Sequence, residues 1–378
     1  MCGANLRCAS TPVAERWPMR FLVFLVSILC TVSATAKSIT VLTHGSFDLS
    51  LAVVEQFTER TGYDVHFLPA GDAGEALNRA ILTKERPLGD VLFGVDGALL
   101  VRARAEGIFE PYESPELARV RPEFLVAGNI ATPVTVGYLT PNIDVGTLTQ
   151  LGIDAPTDLA DLLRPEYAGM FTAQDPASSS AGFSFLLATI ARFGDPIAGI
   201  EPTATKPGDP ASWLEFWLLL NENGVEITAG WTDGYYSLYS YQGGTHPIIA
   251  SYASSPAFEV LYGPDELVTP PINMAGTGTA FEQVEYAGIL TGAKDVVGAQ
   301  LFLDFLLSPA VQADVPLRMS VYPVVNDAAI PAEFHEYGTV ASGAVLPEIP
   351  GELILAHQDR WLAQWTEVVL YDLEMPVQ

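Results

Sequence analysis

SITVLTHGSFDLSLAVVEQFTERTGYDVHFLPAGDAGEALNRAILTKERPLGDVLFGVDG, residues 38–97, alternates β-rich and helix-forming runs three times over. Residues 38–43 and 65–68 are rich in Ile, Val, Thr and Phe, whereas 49–60 place Leu51, Val54 and Phe57 at helical spacing. A helix over 76–84, a strand over 90–94 and a helix over 98–106 closed by Gly107 complete the pattern. Strands alternating with helices make a parallel, doubly wound sheet, and ligands on such sheets sit at the carboxyl ends of the strands. The loops that matter are therefore 44–48, containing His44 and Ser46, 69–73, containing Asp72 and Ala73, and 95–97, containing Asp96.

Working outward, 130–139 reads as a long β segment, after which the alternation restarts. Helices are expected at 159–163, 182–192, 213–220 and 235–239, and extended segments at 169–173 and 247–252. A second long, partly polar β segment covers 281–289, and helices close the chain at 297–307 and 350–370. Two long strands between two α/β units predict two lobes joined by a two-stranded hinge. The division places 37–136 and 275–378 in the first lobe and 137–274 in the second, with 202–210 as a surface insertion. Trp213 with Trp217, and Trp361 with Trp365, are i,i+4 pairs on apolar faces and read as core.

The first 36 residues have the layout of a secretion signal: Arg16 and Arg20, an apolar run over 21–32, and Ala34-Thr35-Ala36 before Lys37. The run of uncharged residues is shorter than a bilayer-spanning helix needs. Export to the periplasm or beyond, with cleavage after Ala36, is the expectation. Met19 is an alternative start, and lipidation at Cys30 is a competitor weakened by Leu29 before it. Cys2, Cys8 and Cys30 all belong to this leader, so the exported chain carries no thiol chemistry. With Lys+Arg 18 against Asp+Glu 45, and only Lys37, Lys84, Lys206 and Lys294 as lysines, nucleic acid is excluded as a partner. The acidity fits a salty habitat and ordinary solubility equally well. A hydrophobic fraction of 49% over 378 residues supplies cores for two domains.

Three further loops hold candidate ligand groups. Ser178, Ser179 and Ser180 precede a helix, where free N–H groups and hydroxyls suit an anionic or polar group, although an N-cap needs only one of them. Tyr252 and Phe258 flank a polar turn with Pro256 at a helix start, and could stack on a planar heterocycle or pack in a core. Trp231 and Tyr235 stand in an aromatic loop, where rings attract cations; adjacent tyrosines there also suit ferric iron. Asp72 reads as an N-cap or as a carboxylate for a cationic ligand. No histidine pair has metal-ligand spacing, and G-x-S-x-G, P-loop, H-E-x-x-H and G-x-G-x-x-G are missing, which leaves no catalytic signature.

Gly94-Val95-Asp96, Gln174-Asp175-Pro176 with the serines and Gly182, Gly230-Trp231, and Ser251-Tyr252 through Ser255-Pro256-Ala257 occur in one order. Leu307-Ser308-Pro309-Ala310 and Val321-Tyr322-Pro323-Val324 follow. This series resembles the thiamine-binding proteins of bacterial ABC transporters. The resemblance implies a type II periplasmic-binding fold, closing on thiamine, its monophosphate or its diphosphate and passing it to a membrane permease. It also implies a monomer with no cofactor. It puts the phosphate or hydroxyethyl end near Asp72, Ala73, Ser179 and Trp231, with Tyr252 another site position. His44 and Phe258 stand where the family has stacking tyrosines, and near Arg318-Met319-Ser320 a family Trp is missing. Two rivals share this kind of fold: ferric-binding proteins, and thiamine-cleaving enzymes, which use a cysteine that the exported chain lacks.

Overall fold

The computed structural model describes residues 37–263, 269–341 and 343–371; the leader with its three cysteines lies outside them. The opening alternation is present as β1 (Lys37–Thr43), α1 (Leu51–Thr61), β2 (Tyr63–Pro69), α2 (Ala73–Leu82), β3 (Val91–Asp96) and α3 (Gly97–Glu106). β1 runs parallel to both β2 and β3. Its alternate side chains serve opposite layers. Leu42 of β1 and Leu92 of β3 pack with Ala76 and Leu77 of α2, whereas Val41, Val91 and Phe93 face Val53 and Phe57 of α1.

After the short β4 (Phe109–Glu110) comes the long β5 (Thr132–Ile143), then α4 (Val145–Leu151), β6 (Phe171–Gln174), α5 (Ser180–Phe193), α6 (Trp213–Glu222) and β7 (Glu226–Thr228). Next are α7 (Trp231–Asp233), β8 (Ile248–Tyr252), α8 (Ser255–Tyr262), β9 (Ile272–Asn273) and β10 (Phe281–Leu290). The tail adds α9 (Val296–Leu306), α10 (Pro309–Arg318), β11 (Tyr322–Pro323), α11 (Ala332–Glu336) and α12 (Gly351–Trp365).

The strand order β2-β1-β3-β10-β5-β8-β6-β7 forms one continuous sheet, rather than the two separate sheets expected. β5 is the reason. Its first part, Thr132 to Leu139, pairs antiparallel with β10, and from Leu139 to Ile143 it pairs with β8. Leu139 belongs to both ladders. The two long strands expected as a hinge thus join two α/β units while serving both.

Local departures have local causes. Over 234–238 the chain makes a wide π turn, in which Tyr239 N–H reaches Gly234 C=O at 3.1 Å. This turn points Tyr235 and Tyr239 together onto Ile249. The tail departs more. Residues 350–370 were expected in the first lobe, yet Ile354, Trp361, Trp365 and Val368 lie in the core built by Trp213, Trp217 and Phe185 of the second. Trp361 Nε1 donates to Asp195 at 2.6 Å, and Arg360 pairs with the same carboxylate. α12 also runs along α3, so it braces the first unit while filling the core of the other. Both tryptophan pairs are core, as their spacing predicts.

Trp365 meets Trp217 edge-on, ring centroids 5.5 Å apart. Trp365→Ala is expected to destabilise the fold by about 3–5 kcal/mol, the range for large buried aromatics. Urea unfolding measures it, and a loss below about 1 kcal/mol would mean that the tail is peripheral to the core.

Candidate functional site

The loops after β1, β2, β6 and β8 converge, as the carboxyl-end rule requires. Gly45 N–H donates to Gly71 C=O at 2.8 Å, tying the His44 and Asp72 loops together. Two glycines make room for rings. A Cβ at position 94, whose φ is +95°, would lie 2.1 Å from His44 Cδ2, and one at position 137 would lie 2.7 Å from Tyr252 Cδ1. Two adjoining chambers result. The first, about 50 Å³, is lined by His44, Asp72, Ser180, Trp231, Tyr252 and Glu285. The second, about 210 Å³, has Tyr235, Tyr236, Phe258 and Arg318 on its walls. Ser46, Trp231, Met319 and Ser320 border both.

Asp72 stands at the junction. Its Oδ1 accepts from Ala73 N–H at 2.6 Å, capping α2, and from Ser180 N–H at 3.3 Å, at the start of α5. Trp231 is fixed by donating Nε1–H to Ser251 Oγ at 2.8 Å and by stacking on Tyr235, centroids 4.6 Å apart. Ser46 Oγ reaches Thr232 Oγ1 across the mouth at 3.3 Å.

Eight of the residues singled out in the sequence line the chambers: His44, Ser46, Asp72, Ser180, Trp231, Tyr235, Tyr252 and Phe258. Four do not. Ala73 is buried as the first residue of α2. Ser178 Oγ is turned onto Ala229 C=O at 2.7 Å, and Ser179 caps α5 through Gly182 N–H. The helix start expected to receive an anionic ligand group already faces the Asp72 carboxylate. Asp96 caps α3, accepting from Leu99 N–H at 2.7 Å, and belongs to a different cavity. Tyr235, though on a wall, directs its hydroxyl away onto Glu259 at 2.8 Å.

Glu285 escaped the sequence reading, and Met319 and Ser320 entered it only as the neighbourhood of a missing family Trp. Glu285 had a signal, a carboxylate inside the partly polar strand 281–289, between Val284 and Tyr286. Ser320 had only its place beside Arg318. It holds a left-handed backbone, φ 55°, and its Oγ is buried without a partner.

A family model described as bacterial extracellular solute-binding protein matches residues 52–342. The chain belongs to that family. Among relatives of this solute-binding protein, the thiamine-binding periplasmic protein of Salmonella typhimurium is 25% identical over 351 residues, 90% of this chain and 97% of its own. A solved periplasmic thiamin binding protein, 25% identical, matches with TM-score 0.75 over 89% of this chain and 98% of its own. Iron-bound HitA from Pseudomonas aeruginosa, 18% identical with TM-score 0.69 over 88% of this chain and 99% of its own, shares the fold. Membership bears out the type II periplasmic-binding architecture and a binding role in place of an enzymatic one.

The electrostatics of this binding protein's cleft centre on one pair. His44 Nε2 lies 3.3 Å from Glu285 Oε1, and Thr135 Oγ1 donates to Glu285 Oε2 at 2.7 Å. Burial acts to lower the His44 pKa, but the Glu285 charge and contact, with Asp72 behind, lift it above the ordinary 6.5. For Glu285, burial acts upward, yet His44 and the Thr135 hydroxyl hold it below 4.5. Burial, then Glu285 and Asp72, push the Tyr252 phenol well above its usual value, so this hydroxyl stays protonated.

The signs fix the pH response. The raised His44 value contributes stability that is whole below pH 6.5 and lost as pH rises through the folded pKa. The depressed Glu285 value contributes stability present above pH 4.5 and lost as pH falls through the folded pKa. Glu285→Gln is therefore expected to lower the His44 pKa, followed by NMR of the ring protons. The stability difference between native and variant should peak between pH 4.5 and 6.5. A His44 titration unmoved by the substitution would contradict the pairing.

Proposed function

We propose that this chain is the extracytoplasmic binding component of an ABC importer, and that it closes on thiamine or a thiamine phosphate between its two lobes and hands it to a membrane permease. The observation that carries this reading is the first chamber, with three flat rings, His44, Trp231 and Tyr252, set around the carboxylates of Asp72 and Glu285. A thiazolium has a fixed positive charge on a flat ring. Aromatic faces and nearby carboxylates both favour it over water, while the aminopyrimidine offers N–H donors and a second flat face. Similarity to thiamine-binding periplasmic proteins along nine-tenths of the chain supports the same ligand and a periplasmic location.

The second chamber supports a place for the tail of the ligand. Arg318 on its wall, ion-paired with exposed Asp48, is the group suited to a phosphate, because a phosphate can replace the carboxylate at a guanidinium. The unpartnered Ser320 hydroxyl borders both chambers. Phe258 and His44, where the resembling family carries tyrosines, keep flat surfaces and give up two hydroxyls. Support for ferric iron is weaker. Among the described residues no three His, Cys, Asp or Glu converge as a metal site, and the Tyr235 hydroxyl is committed to Glu259.

Calorimetry with thiamine, thiamine monophosphate and thiamine diphosphate tests the proposal. Trp231→Ala is expected to weaken thiamine binding by about 2 kcal/mol or more, the scale of buried aromatic anchors. Unchanged affinity would remove Trp231 from the site, and a visible phenolate-to-iron absorption with no thiamine heat would favour iron.

pH supplies a second measurement. Glu285, Asp72 and the Tyr252 phenol face His44. Losing the His44 proton leaves Glu285 uncompensated and the chamber more negative. Thiamine affinity is thus expected to rise as pH increases through the raised His44 pKa, and His44→Gln should flatten that slope. An identical slope in the variant would rule His44 out as its source.

A further inference from the structure

A separate cavity of about 180 Å³ lies one helical turn farther along α5: the first chamber meets Ser180 and Ala181, this cavity Ser184 and Leu187. Its other walls come from α3, β10 and the segment 345–354. Part of the lining is apolar, with Phe124, Phe281, Leu346 and Ile354. The polar part includes four carboxylates. Asp96 lies at the base, and Glu123, Glu282 and Glu348 are exposed at the rim. No Lys or Arg is among the described residues that line it. Arg121, which donates to Pro323 C=O and sits over the Phe124 ring, tempers Glu282 from outside the lining.

Gln283 turns this acidic hollow into a site. The side chain is 3% exposed and its Nε2 donates to Asp96 Oδ2 at 3.2 Å. The amide is turned with Nε2 toward Asp96, which leaves Oε1 on its other side. Gln283 is one of the residues that line the cavity, and its Oε1 is buried without a partner. A buried acceptor left unmatched calls for a donor, and acidic neighbours call for a positively charged one.

We propose that this cavity is a second binding site, for a small alkylammonium ion whose N–H groups meet Gln283 Oε1 and the surrounding carboxylates while its chain lies on the apolar wall. A bare metal ion fits less well, because among the described residues no three His, Cys, Asp or Glu are grouped to hold one. The apolar part also has no use for a metal. The site stands apart from whatever the first chamber binds.

Titration of the whole protein with n-butylammonium chloride, read by calorimetry and by amide chemical shifts, tests this, with 1-butanol as the uncharged isostere. Saturable binding is expected, with butanol about tenfold weaker or worse, and Gln283→Leu should weaken the ammonium about tenfold, as loss of a hydrogen bond to a charged group does. Glu348→Gln, at an exposed rim position where folding is insensitive, should weaken it by a smaller factor. Trp231→Ala should leave it unchanged whether or not thiamine binds. The proposal is overturned by absence of saturable binding, by equal binding of butanol, by full affinity in both cavity variants, or by loss of binding in Trp231→Ala.

Discussion

One carboxylate holds the cleft together. Asp72 caps α2 from the first unit and meets the start of α5 from the second, so two positive helix ends share a single negative group. Such an arrangement works only if the backbones come close, and glycines allow it. A Cβ at position 74 would sit 3.0 Å from Ser178 C=O, and one at position 230 would sit 3.0 Å from Asp72 Oδ2. The serine loop, the tryptophan loop and the first turn of α2 therefore converge on Asp72 because nothing larger than hydrogen stands between them. The positions of Trp231 and Ser180 at the pocket follow from that approach.

Much of this was legible. The three alternations in residues 38–97 determine both the sheet and the loops that carry His44, Ser46 and Asp72, because strand ends on a parallel sheet share one side. The tryptophan pairs were legible as core from spacing alone. What escaped has a common physical origin in long-range pairing. Glu285 enters the pocket because β10 lies between β3 and β5, a neighbourhood that no local pattern encodes. The tail illustrates the same limit. Its apolar stripe announces burial, but that it fills the core around Trp217 depends on Asp195, more than 150 residues earlier, accepting from Trp361. Three serines before a helix were equally readable as ligand groups or caps; the fold gives Ser178 to a carbonyl and Ser179 to the cap, leaving Ser180 at the chamber.

Acidity acts differently at different depths. On the surface the excess of Asp and Glu fits a salty habitat and ordinary solubility alike. Inside, each carboxylate is set by its immediate partners. Burial pushes the Asp96 carboxyl up to about 7, whereas the equally enclosed Glu285 is held low by His44 and Thr135. Two acids on adjacent strands, β3 and β10, thus behave oppositely because one has a cation beside it and the other an amide.

His44 gives this contrast a functional edge. A tyrosine at that position would offer a flat face and a hydroxyl, but no charge to set against Glu285. With histidine the flat face remains and the counterion becomes protonatable near neutral pH. Its Nδ1 accepts from Ser46 N–H at 3.2 Å, which suits the tautomer with the proton on Nε2 toward Glu285; a second proton on Nδ1 opposes that contact. Protonation therefore works against the loop that closes the mouth through Ser46 and Thr232, at the same time as it neutralises the floor. Charge and loop geometry are coupled through one ring. A cationic ligand would meet a more negative floor and a better-held Ser46 loop in the same protonation state.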